Sequence, residues 1–170
     1  MKKTFTLGIL FIFFILGAKA QTDKSKRVSP PDSVSVTTTS GTVITINYSR
    51  PSVKGRQIGV EIAPLGQVWR VGANEATTFE VSKDVTIEGQ ALKAGIYSLH
   101  SIPEETHSTI IYNKVWKKWG LDYDEKGDAL RVEVPNLEDS NFVEQFTITV
   151  DKDGLVQLLW GNYKVPFHVK

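Results

Sequence analysis

Residues 49–76 (SRPSVKGRQIGVEIAPLGQVWRVGANEA) hold the densest set of side chains able to do chemistry: Arg50, Lys54, Arg56, Trp69, Arg70, Asn74 and Glu75, with Thr77 just beyond. A guanidinium fork meets a carboxylate or phosphate through two parallel hydrogen bonds, an amide and a carboxylate orient hydroxyl groups, and an indole supplies an apolar wall. Arg50, Arg56, Trp69, Arg70, Asn74 and Glu75 are therefore the candidate ligand-binding residues, for a polar small molecule, glycan or peptide. The same residues admit a structural role, in which Arg50, Arg56 and Glu75 pair with one another, Trp69 fills the core and Asn74 bonds a turn.

Catalysis would need a titratable pair. Of His100, His107 and His168, only His100 follows an alternating strand that could turn it toward the arginine segment. Glu75 and His100 are thus the candidate catalytic residues for an alternative activity, hydrolysis or elimination on envelope glycan or peptide. The histidine spacing fits no metal-ligand pattern. Asp122, Asp124, Gly127 and Glu133 imitate a calcium loop, but Lys126 puts a cation where the fifth position needs an oxygen. A nucleophile elbow, a phosphate loop and a dinucleotide fingerprint are all missing, so no metal and no cofactor is expected.

These groups must be carried by strands. Residues 33–38 and 42–48 alternate β-branched and polar residues around Ser40-Gly41 and read as a hairpin. Further strands are expected at 77–81, 84–88, 95–101, 108–113, 129–134, 143–150, 155–160 and 164–169, separated by turns rich in Gly, Asp and Lys. One short helical turn is expected at 113–119. Many short strands at close spacing predict an all-β fold, an antiparallel β-sandwich or jelly roll. The 49–76 stretch is an ordered insertion, because Ile58, Val60, Ile62, Leu65 and Val68 give it apolar anchors. Trp116, Trp119, Tyr112 and Tyr123 either cap the core or offer rings for stacking on sugars.

The ends bound the setting. Lys2 and Lys3, the apolar run from Phe5 to Leu16 and Ala18-Lys19-Ala20 have the order of a cleavable signal peptide, residues 1–20. The run is shorter than the roughly 20 residues that span a bilayer, so no membrane insertion is expected after cleavage. A flexible leader is expected at 21–32, a single domain at 33–170, and a periplasmic or secreted location. With no cysteine there is no disulfide, thiolate site or thiol nucleophile. Of 20 basic residues, Lys2, Lys3 and Lys19 lie in the signal, which leaves 17 against 19 acidic ones, a net −2. So slight a charge offers no field for nucleic acid.

Arg50-Pro51-Ser52-Val53-Lys54-Gly55-Arg56, then Val68 to Thr77 (VWRVGANEAT), then Leu92 to Leu99 (LKAGIYSL), resemble the signature segments of an uncharacterised family of exported bacterial proteins, a domain of unknown function. The resemblance runs over about residues 30–169 and implies a β-sandwich behind a signal peptide. It brings no activity. Three functional classes therefore stand open: a binding module around the arginine segment, the hydrolase or lyase on Glu75 and His100, and a structural envelope protein without a ligand.

Overall fold

The computed structural model describes residues 23–170; the expected signal peptide and its cleavage point lie outside the described residues. The strands are β1 (Pro31–Thr37), β2 (Val43–Ser49), β3 (Thr78–Val81), β4 (Val85–Ile87), β5 (Gln90–Leu92), β6 (Gly95–Pro103), β7 (His107–Asn113), β8 (Asp128–Pro135), β9 (Leu137–Val150) and β10 (Leu155–His168). Six of them form one antiparallel sheet in the order β1-β2-β3-β6-β7-β8, and β9 and β10 pair as a long hairpin. The fold is all-β.

Period two explains why the layers stack. In register, Ile44 opposes Val81, Ile46 opposes Phe79, Phe79 opposes Tyr97, and Leu99 opposes Tyr112, so one face of the sheet is apolar. Against it the hairpin sets Phe146, Ile148, Val156, Leu158, Trp160 and Phe167, all buried. Each such side chain contributes roughly 1.5–3 kcal/mol on burial. Edge-to-face rings tie the layers: Tyr48 to Phe146 at 5.7 Å and Tyr112 to Phe167 at 6.4 Å. The Tyr48 hydroxyl also accepts the Ile148 N–H at 3.1 Å and donates to Asp32 at 3.2 Å, which links β2 to β9 and to its neighbour β1.

Some expected boundaries shift. The segments expected at 155–160 and 164–169 are one strand, β10, and β9 begins at Leu137 rather than near 143. Gly161 absorbs the break as a bulge, with register shifts on either side. Residues 137–142 gave no strand signal because most are exposed and polar, overhanging the core. No helix forms at 113–119; that stretch is an irregular loop in which Trp116 and Trp119 are partly exposed, while Tyr112 is in the core.

The stretch expected as a leader, 21–32, is described from residue 23 on. β1 already starts at Pro31, and the segment before it is fastened: Arg27 Nη1 reaches Glu75 Oε2 at 2.7 Å, and the Ser29 carbonyl accepts the Asn74 side-chain amide at 3.0 Å. Polar composition hid this, since the fastening uses ion pairs rather than apolar periodicity.

β2 and β3 are hydrogen-bonded neighbours, so residues 50–77 form an excursion that leaves and returns to adjacent strands. On the way it pairs with β9 (Val53 N to Glu144 O, Phe146 N to Pro51 O) and with β6 (Trp69 N to Ser101 O, Ser101 N to Trp69 O). It thereby closes one end of the sandwich, as an ordered insertion.

Candidate functional site

The insertion lays Trp69 on Trp160 of β10, ring centroids 5.3 Å apart and planes 12° from parallel. Over this pair opens a cleft of about 380 Å³ whose charged lining is Lys54, Arg56 and Arg70, with no Asp or Glu among its walls. Arg56 spends part of its fork locally: Nε donates to the Val53 carbonyl at 3.1 Å and Nη2 to that of Ser52 at 2.6 Å. Arg70 makes no hydrogen bond or ion pair with any described residue, and its Nε is buried without a partner. Burial pulls the Arg70 pKa down from its ordinary value. Buried donors are ordinarily paired, which sets Arg70 Nε apart from the engaged arginines of the insertion.

The backbone beside Arg70 is strained. Val71 sits at φ 47°, a conformation unfavourable for a β-branched residue, and is fully buried. Its carbonyl accepts the Thr77 hydroxyl at 2.6 Å, and the following Gly72 lies against the Ser49 backbone and Thr77, where a Cβ would collide. Packing holds Val71 in this state, and the consequence is a fixed direction for its neighbour.

The remaining candidates serve elsewhere. Arg50 donates Nε to the Phe146 carbonyl (3.1 Å) and Nη2 to Thr147 Oγ1 (2.8 Å), and Nη1 lies 3.5 Å from Asp32; it bolts the insertion to β9. Asn74, at φ 62°, holds Ser29 through its amide, and its carbonyl accepts the Gly120 N–H. Glu75 pairs with Arg27 at 2.7 Å and Lys24 at 3.0 Å, and chiefly the Arg27 hydrogen bond lowers its pKa to about 2. Of the six candidates the structure gathers Arg56, Trp69 and Arg70, and sends Arg50, Asn74 and Glu75 to other contacts. Arg50, Arg56 and Glu75 do not pair with one another.

His100 does not face the insertion. Its neighbour Ser101 lines the interior beside Trp69, so strand alternation turns His100 to the opposite face of the sheet. There it is 1 % exposed beneath the 114–127 loop, its ring 4.9 Å from that of Tyr123. Among the described residues neither ring nitrogen has a hydrogen-bond partner; the Ser98 backbone approaches without bonding geometry. Burial first and the Lys118 charge second depress its pKa to about 4, with Asp128 opposing. No hydrogen bond or ion pair joins it to Glu75, and a group so enclosed has no path to a substrate. Among the described residues no cluster of His, Asp and Glu could hold a metal.

Lys54, and Trp160 from the β9–β10 hairpin, complete the cleft. Lys54 was visible beside Arg56, but nothing local could reveal that Trp160, 91 positions from Trp69, would back it. A family model described as "Protein of unknown function (DUF2911)" matches residues 29–169. No curated protein and no solved structure matches the chain.

Proposed function

The chain belongs to the DUF2911 family, whose description assigns no activity, and from its geometry we propose a binding module that holds a small anionic ligand in the cleft over Trp69 and Trp160. One observation carries this reading: Arg70, whose side chain has no partner among the described residues, shares a cleft with Lys54 and Arg56 and with no carboxylate in its walls. No Asp or Glu lines the cleft beside Lys54, Arg56 and Arg70, so a carboxylate or phosphate there meets cations and no competing acid of the wall. The stacked indoles give the ligand's carbon skeleton an apolar floor. Following the signal-like leader, we place the module outside the cytoplasm, where envelope glycans and peptides present such groups.

Arg70→Gln tests it. Titration calorimetry at low ionic strength with inorganic phosphate and with succinate should show binding by the wild type and a loss of roughly ten- to a hundredfold in the variant, the value of a charge-assisted bond of about 1.5–3 kcal/mol. Folding stability should change by less than about 1 kcal/mol, since no partner is stranded. Equal affinities in the two proteins, or no binding of either anion by the wild type, would overturn the assignment.

A further inference from the structure

The Trp69–Trp160 pair also borders a second, partly open cavity of about 260 Å³ with walls of Ile58, Leu65, Phe146 and Leu158. We propose that this cavity is a separate site for a small aromatic amine, its ring against the indoles and its ammonium at Glu104 and Glu105. The site shares only a wall with the anion cleft, so it does not rest on that reading.

Size and surroundings argue for a ring. An apolar cavity of about 150 Å³ holds benzene, so this one accommodates a ring with a short chain. Phe146 meets Trp69 edge-on at 5.1 Å and Trp160 at 5.8 Å, so a guest ring joins an existing aromatic cluster whose faces are electron-rich.

Charge argues for a cation. Glu104 and Glu105 are the ionised groups of the lining, which contains no Lys, Arg or His. Neither carboxylate enters an ion pair among the described residues, so no cation of the protein competes for them. The turn that carries them is braced beforehand: Glu104 N donates to the His107 carbonyl at 2.8 Å, Asn136 Nδ2 donates to the Glu104 carbonyl at 2.7 Å, and Gly66 N from the insertion donates to the Pro103 carbonyl at 2.8 Å. The backbone that carries both carboxylates is thus held at the rim of an apolar chamber, an arrangement that favours an amphiphilic cation and disfavours a carboxylate of the same shape.

Three probes of one shape decide it: phenethylamine, neutral 2-phenylethanol and anionic 3-phenylpropionate, titrated at pH 7 and low ionic strength with tryptophan fluorescence as readout. Phenethylamine should bind about tenfold more tightly than 2-phenylethanol, and 3-phenylpropionate more weakly than either in the Arg70→Gln background, where the anion cleft is disabled. The double variant Glu104→Gln, Glu105→Gln should lose that tenfold preference while 2-phenylethanol binds as before, which also shows that the cavity is intact. Arg70→Gln alone should leave amine binding unchanged. Equal affinity for amine and alcohol, no amine binding, or an undiminished preference in the double variant would each overturn the proposal.

Discussion

Gly154→Ala is expected to destabilise the fold by about 3 kcal/mol or more, and Gly89→Ala by only about 1, although the two glycines have nearly the same backbone. Gly154 lies at φ +83° and Gly89 at φ +81°, so the strain of an L-residue in the left-handed region is common to both. They differ in what a Cβ would meet. At Gly89, in the turn between β4 and β5, there is nothing within 4 Å. At Gly154, in the turn between β9 and β10, the Cβ would fall inside the van der Waals envelope of the Val169 carbonyl oxygen, and backbone has no rotamer by which to yield. Relief requires the end of the chain to move. That movement would break the bond from Val169 N to the Gly154 carbonyl and the reciprocal pair between Thr86 and Lys170, and would expose Val169, now 3 % accessible. Urea unfolding of both variants, compared at equal slope, isolates the contact from the strain. A difference below about 1 kcal/mol would show that the chain end does not brace the sandwich.

The second large effect depends on pH. His100 is neutral in the fold, with its pKa depressed from 6.5 to about 4, while the unfolded chain protonates it at its ordinary value. Below 6.5 the unfolded state therefore binds more protons, so the contribution of neutral His100 is whole above pH 6.5, declines as pH falls and is gone near pH 4. A shift of this size amounts to about 3 kcal/mol. Burial is the main reason charge is refused there; Lys118 adds to it, and Asp128, which opposes it, is engaged by Tyr123 at 2.7 Å, Arg131 at 2.7 Å and Asn113 at 2.8 Å. Glu75, lowered from 4.5 to about 2, acts mainly below pH 4.5 and meets the His100 window only at its acid end. His100→Leu keeps the volume and removes both unpartnered nitrogens, so its stability should be nearly level from pH 6.5 to 4.5 where wild type falls. His107 and His168 remain in the variant as an internal control. An unchanged slope would refute the assignment of the transition to His100.

Alternation around Ser40-Gly41 was enough to specify the β1–β2 hairpin, because period two and a glycine turn act over neighbouring residues. The same local physics marked the 49–76 insertion, with its arginines and tryptophan, as the place to look. It failed wherever the deciding partner was distant. Arg50, Arg56 and Arg70 are one residue type within 21 positions, yet Phe146 and Thr147 consume the first, the preceding carbonyls of Ser52 and Val53 half-consume the second, and none of the described residues claims the third. Glu75 looked like an orienting acid until Arg27 and Lys24 from the leader took it. His100 and Ser101 differ by one position, and the pleat sends one under a loop and the other to a cavity wall. Residue types and their period determined that this chain is an all-β sandwich with a cationic, aromatic insertion. Which of those charges stay unpaid, and that Trp69 and Trp160 divide a cationic cleft from an acidic-mouthed cavity, only tertiary packing decided, since a side chain's availability depends on partners that backbone closure brings from far along the chain.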